Sequence, residues 1–234
     1  MYQAIEEQER EALRRAFGIV YVSEFMRHKV QERQIGIDDV PCAVVPNFIT
    51  DPGNDVILPH SDLINVGSFE PRKNQGFIRD LLAAARKDGE ALNTTLVGDG
   101  PTRKETEARA DRLGLRDQIS FTGYVPEAAS RMSGHRAYIH AARVENMPIV
   151  LIEAMSKGLP IFAPAVGGIP EVFRDGIEGR YLPLDDPVES AARVVGVLRD
   201  RSILSTMGKA ARPVLLLHSR QTGWPVDYCN SKPA

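Results

Sequence analysis

The sequence predicts an α/β fold, a doubly wound parallel sheet with helices on both faces. Two observations carry that prediction. From residue 63 to residue 200, short apolar runs of strand length alternate with longer stretches of helical spacing. The glycine- and proline-rich turns that punctuate this alternation follow the apolar runs, at the carboxyl ends where sheets of this kind bind ligands.

The elements read in order as follows. Residues 3–16 are charged, with Ile5, Leu13 and Ala16 at helical spacing, and read as an amphipathic helix. Residues 18–22 form a short apolar strand, after which Ser23 caps a second helix with Phe25, Met26 and Val30 on its inner face. Another strand runs from Val40 to Val45 and ends at Pro46-Asn47. Pro52, Gly53, Asn54 and Pro59 mark residues 48–61 as a linker. Strands are then expected at 63–67, 94–98, 119–121, 137–140, 160–162 and 180–182. Helices are expected near 75–87, 102–113, 126–133, 148–157, 169–174 and 187–200, with a further helix over 201–211. Pro213 should break that last helix, because a proline lacks the N–H the helix needs. Residues 213–234 then read as an irregular tail, poorly ordered from 218, with Trp224 or Tyr228 resting in a surface groove.

Composition excludes several classes of function. Hydrophobic residues are 43% and charged residues 26% of the 234, ordinary for a globular protein, and the formal net charge of -2 offers no electrostatic case for nucleic acid. Apolar runs fall far short of the ~20 residues that span a bilayer. No basic-then-apolar leader opens the sequence. Cys42 and Cys229 have no paired spacing, which argues against a disulfide framework or a zinc site and makes a reducing cytoplasm the default setting.

The most informative stretch is 144–158, Val-Glu-Asn-Met-Pro-Ile-Val-Leu-Ile-Glu-Ala-Met-Ser-Lys-Gly. It reads as a helix with Asn146 as its cap, Pro148 in its first turn and Gly158 just past its end. Nearly every residue from 148 to 155 is apolar, the pattern of a buried helix. Its one charge, Glu153, then sits in a poorly hydrated place and needs hydrogen bonds. Glu145 lies eight positions earlier, so the two carboxylates flank a helix N-terminus, where free N–H groups attract anions. A diphosphate-linked sugar fits such a place. A Glu153 paired with a core arginine or capping a neighbouring loop, and a solvated Glu145, would fit the same residues.

The pattern Glu-x7-Glu, followed by Ala-Met-Ser-Lys-Gly-Leu-Pro-Ile and by Gly-Gly-Ile-Pro-Glu at 167–171, resembles the donor-binding half of retaining glycosyltransferases of the GT-B fold, family 4 type. The resemblance covers roughly residues 17–211. It implies a Rossmann-like domain over 51–212 that binds a nucleotide sugar, preceded over 1–50 by the remnant of an acceptor-binding domain and the crossover from it. The glycine-rich loop and catalytic histidine of that domain have no counterpart, so the chain reads as a C-terminal portion. The implied reaction moves a sugar from a nucleoside diphosphate to a hydroxyl of a glycan or lipid-linked acceptor. The alternative is a nucleotide-sugar-binding module without turnover. Neither needs a cofactor, the nucleotide sugar being a substrate. Many relatives act on lipid-linked or envelope glycans at a membrane surface, which implies a cytoplasmic setting at the inner face of a membrane, and here any peripheral membrane contact would run through the missing domain.

In the resemblance, Glu153 holds the ribose, Glu145 positions the sugar, and Lys73 with the backbone of Asn146, Met147, Pro148, Ile149 and Val150 surrounds the diphosphate, the 148–150 amides bonding to it. Lys73 matches the lysine of the family's Gly-Arg-x-x-x-x-Lys, but Ser68 stands at the arginine position, with Arg72 as a substitute. Gly98 and Gly100 form a Gly-x-Gly turn lining the nucleotide cleft; Lys104 stands where a dinucleotide fingerprint wants its third glycine, which disfavours NAD. Backbone at Tyr124 and Val125 is expected to read the base edge. Gly167-Gly168 should shape the pocket wall, Glu171 should act as a structural cap, and His140 should be structural. Asp185-Asp186 is an acidic loop rather than an Asp-x-Asp motif, so no metal ligand is assigned. The cationic role falls to Lys73 and the helix N-terminus.

Overall fold

The computed structural model describes residues 2–33, 36–49 and 61–220. The first part holds α1 (Tyr2–Arg14), β1 (Ile19–Tyr21), α2 (Glu24–Glu32) and β2 (Cys42–Val44). The two strands pair in parallel, Ile19 opposite Cys42 and Tyr21 opposite Val44. Ser23 caps α2 as its sequence position suggests, its hydroxyl accepting from the Met26 amide at 3.1 Å. Most of the expected linker, and Trp224 and Tyr228 with the rest of 221–234, lie outside the described residues.

From residue 61 the chain alternates β3 (Ser61–Val66), α3 (Gln75–Lys87), β4 (Thr94–Val97), α4 (Arg103–Arg112), β5 (Ile119–Gly123), β6 (His135–Ile139), α5 (Ile149–Ser156), β7 (Ile161–Ala163), β8 (Gly179–Tyr181), α6 (Pro187–Arg199) and α7 (Arg201–Arg220). The six strands from β3 on make one parallel sheet in the order β5-β4-β3-β6-β7-β8. Successive strand residues face opposite layers, as the pleat requires. Leu63, Leu96, Ile139 and Phe162 pack with Phe77, Ile78 and Leu81 of α3 and Val194 and Leu198 of α6. Ile64, Val97, Tyr138 and Ile161 pack on the other side with Leu151, Ala154 and Met155 of α5 and with Ala211 of α7. The sheet is therefore covered on both faces, as predicted.

Three expectations need correction. The segments read as helices at 126–133 and 169–174 are short 3-10 segments, Ala128–Gly134 and Ile169–Glu171. Glu127 enters the first with φ 52°, a left-handed conformation that no regular helix continues through. Pro213 does not end α7, which runs on to Arg220. A proline deletes only one backbone hydrogen bond, and the helix is anchored ahead of it by the buried side chains of Met207 and Ala211.

Candidate functional site

The strand order fixes where a ligand can bind. From β3 the chain winds outward through β4 and β5, then returns to β6 beside β3 and winds the other way. The loops that leave β3 and β6 therefore diverge at their carboxyl ends and leave a crevice there. One loop carries Lys73, the other Glu145. They are tied by a hydrogen bond from the Arg143 amide to the Arg72 carbonyl, 2.9 Å.

Lys73 ends a 3-10 turn, Pro71–Lys73, that precedes α3. Its ammonium donates to Oε1 of Glu145. His140, one residue beyond β6, donates through Nε2 to the same oxygen at 3.1 Å. Glu145 is buried, with 9% of its side chain exposed. Burial works to raise its pKa, but the hydrogen bonds from His140 and Lys73 outweigh it and bring it down to about 2. Burial pushes the His140 imidazole below its ordinary range despite the carboxylate beside it, which favours the neutral ring. The sequence thus supplies an ionised, rigidly held carboxylate at the switch point.

Glu153 is different. It lies on α5, half-buried, and its carboxylate has no hydrogen-bond or ion-pair partner among the described residues. Burial alone raises its pKa. No core arginine pairs with it among the described residues. Both acids act on one buried group, the Tyr138 hydroxyl, whose pKa rises through burial and then through the charges of Glu153 and Glu145. That hydroxyl is fixed at the end of β3, accepting from the Val66 amide at 3.2 Å and donating to the Val66 carbonyl at 3.0 Å. The two carboxylates and the lysine share one end of the sheet.

The helix start differs in detail from the sequence reading. Pro148, not Asn146, occupies the cap position, and no side chain caps the helix. Nor can all three residues 148–150 offer amides, because proline has no N–H. Ile149 and Val150 do, and their amides find no partner among the described residues, whereas the Leu151 amide bonds to the Pro148 carbonyl at 3.1 Å. The helix is not buried all round: Leu151, Ala154 and Met155 face the core, Val150 and Ile152 are half-buried, and Ile149 is 46% exposed. Asn146 is exposed, while Met147 is buried and bound by Asn47, whose amide meets its sulfur at 3.2 Å and whose Nδ2 meets its carbonyl at 2.8 Å.

Gly167 and Gly168 form a wall under this loop. A Cβ on Gly167 would stand 1.7 Å from the Glu145 carbonyl oxygen, and one on Gly168 as close to that of Asn146. The Gly168 amide donates to the Glu145 carbonyl at 3.1 Å. Glu171 is a structural cap, as expected: its two oxygens accept from the amides of Glu24 and Phe25, each at 2.8 Å, and so close the start of α2.

The remaining expected residues divide. Arg72 turns to the exposed Glu70, 2.8 Å away, and not to Glu145. Gly98 and Gly100 have a structural duty: Cβ atoms there would meet the carbonyl oxygens of Gly67 and Phe69 at 2.0 and 2.5 Å, so they let the loops after β3 and β4 lie side by side. Tyr124 stands 79% exposed just after β5, with Val125 half-buried. Asp186 caps α6 through the amides of Val188 and Glu189. Among the described residues no three His, Cys, Asp or Glu side chains gather as a metal site.

Sequence reasoning gave no part in the site to three residues that hold it together, namely His140, Tyr138 and Asn47. The available signal was position, since His140 and Tyr138 lie at the end of a strand that a parallel fold places beside β3. Which atom each would bond to is set by loop geometry.

Comparison with known proteins places this architecture. The sequence model for the family described as Glycosyl transferases group 1 matches residues 58–214. The Vi polysaccharide biosynthesis protein VipC/TviE of Salmonella typhi is 32% identical over 129 residues, 53% of this chain and 22% of that protein. The alpha-D-kanosaminyltransferase of Streptomyces kanamyceticus is 27% identical over 154 residues, 65% of this chain and 40% of that protein. The chain thus spans two fifths or less of the length of these curated relatives. Among solved structures, a mutant of S. aureus TarM in complex with Fondaparinux, alpha-GlcNAc-glycerol and UDP superposes with a TM-score of 0.82 at 14% identity, over 91% of this chain and 43% of that one.

Proposed function

The chain belongs to the Glycosyl transferases group 1 family, and on that premise we propose that it is the nucleotide-sugar-binding part of a retaining GT-B glycosyltransferase of the family 4 type. Glu153 accepts hydrogen bonds from the two neighbouring ribose hydroxyls. The amides of Ile149 and Val150, at the positive end of α5, bind the diphosphate together with Lys73. Glu145 accepts from a hydroxyl of the sugar. Tyr124 and Val125 border the base. In the transfer, the bond from the anomeric carbon to the diphosphate breaks and a bond to the acceptor oxygen forms. The acceptor's proton leaves with the diphosphate. Lys73 and the free amides stabilise the negative charge that gathers on the leaving group. The donor-binding unit covers 51–212, and an acceptor-binding domain completes the cleft and carries acceptor choice and any membrane contact. No helix among the described residues is long and apolar enough to cross a membrane.

One observation supports this reading above the others. A half-buried carboxylate stands on α5, and among the described residues neither it nor the first amides of that helix have a partner. A carboxylate left unsatisfied costs stability unless something else supplies its hydrogen bonds. A ribose diol beside a diphosphate supplies partners for both groups. A thermal-shift panel of UDP, GDP and ADP sugars tests the reading; at least one should raise the melting temperature, and no response to any member contradicts it.

A second reading, binding without turnover, has its own observation. Ser68 stands at the family's arginine position, and Arg72 pairs with Glu70 instead of replacing it. An assay with and without a separately supplied acceptor-binding domain separates the two readings.

A further inference from the structure

Lys73 and His140 donate to the same oxygen of Glu145, which leaves Oε2 without a protein partner among the described residues. The two donors are not equivalent. Lys73 reaches Glu145 on a flexible four-carbon stem, and its ammonium is the group a diphosphate attracts most strongly. His140 cannot move in the same way. It is 2% exposed, stands one residue beyond β6, and its ring stacks at 6.3 Å and 26° on Tyr138, itself fully buried. An ionised carboxylate only accepts, so the imidazole proton is on Nε2. Nδ1 is then a bare acceptor, and it is buried with no partner among the described residues.

This asymmetry matters when a diphosphate arrives. The phosphates compete with Glu145 for the Lys73 ammonium. A buried carboxylate that loses its cation either takes up a proton or swings away. The His140 N–H is the donor that stays, and it preserves both the rotamer and the charge of Glu145.

We propose that His140 is the positioning residue of the sugar subsite: its Nε2–H fixes Oε1 of Glu145, so that Oε2 accepts from a sugar hydroxyl while Lys73 is shared with the diphosphate. The proposal rests on the glycosyltransferase reading above, and its effect falls chiefly on the sugar. The nucleotide is held by other residues.

Calorimetry with paired ligands tests it, using UDP against UDP-glucose, or the pair that the thermal-shift panel selects. The wild type is compared with His140→Met, which keeps volume and loses the donor, and His140→Gln, which keeps a donor near the Nε2 position. His140→Met should weaken nucleotide-sugar binding about tenfold or more, weaken the bare nucleotide, whose diphosphate also draws on Lys73, by a clearly smaller factor, and be restored in large part by His140→Gln. Equal weakening of both ligands without rescue makes His140 merely structural and overturns the proposal, as does unchanged sugar-nucleotide affinity. If the wild type binds neither ligand of any pair, the glycosyltransferase reading itself fails, a result distinct from these. Ring nitrogen resonances of the wild type give a measurement that needs no variant. An Nε2–H tautomer whose signals shift further with the nucleotide sugar than with the nucleotide supports the proposal, and an Nδ1–H tautomer overturns it.

Discussion

Gly168 lies so close beneath Asn146 that a Cβ on it would stand 1.7 Å from the Asn146 carbonyl oxygen. The loop carrying Glu145 is therefore seated on bare backbone. Gly168→Ala forces the two segments apart and should cost about 2 kcal/mol or more. Nucleotide binding should fall with it, because the start of α5 moves. Urea denaturation and a nucleotide thermal shift measure the two effects, and a variant with wild-type stability shows that the close approach does not constrain the loop.

Glu171 ties the first part of the chain to the sheet domain by capping α2 from a distance of 147 residues in sequence. Glu171→Ala leaves the amides of Glu24 and Phe25 uncapped and should cost about 1 kcal/mol. Hydrogen exchange should quicken along α2 while the strands of the central sheet keep their protection. Equal quickening throughout contradicts a local clasp.

Glu145 and Glu153 should respond to acid in opposite senses. Glu145 titrates near 2 in the folded chain against an ordinary 4.5, so its contribution is fully present above 4.5 and is lost as pH falls towards 2. Glu145→Gln should therefore be less stable than the wild type at pH 7, by on the order of 2–3 kcal/mol. The gap should narrow below pH 4.5, and a gap independent of pH contradicts the ion-pair account.

Glu153 has its pKa raised by burial from the same 4.5. Its ionised form is penalised on folding, and the penalty grows as pH rises through the folded pKa and vanishes below 4.5. Glu153→Gln should melt higher than the wild type at pH 7 to 8, with the gain shrinking as pH is lowered. A variant that melts lower at pH 7 shows that the carboxylate has a protein partner after all.

The sheet and its helices were legible because periodicity survives in single segments. The six strands of the central sheet appear within two residues of their expected bounds, since apolar neighbours such as Leu63 and Ile64, or Tyr138 and Ile139, fill both layers at once, as a strand covered on both faces does. The 3-10 segments and the continuation of α7 past Pro213 were not legible, because a proline and its anchoring contacts act over several elements at once. At the site, Glu145, Glu153 and Lys73 could be picked out from spacing and resemblance. Their division of labour could not be read in the same way. That Glu145 is satisfied by Lys73 and His140 while Glu153 is left unpaired among the described residues depends on how two loops meet across the switch point.

The most direct test is calorimetric titration of the nucleotide chosen by the thermal-shift panel into the wild type and Glu153→Ala. Losing two hydrogen bonds to a charged acceptor should weaken binding about a hundredfold, with the fold intact by circular dichroism. Unchanged affinity would mean that the unpaired carboxylate on α5 does not hold the ribose.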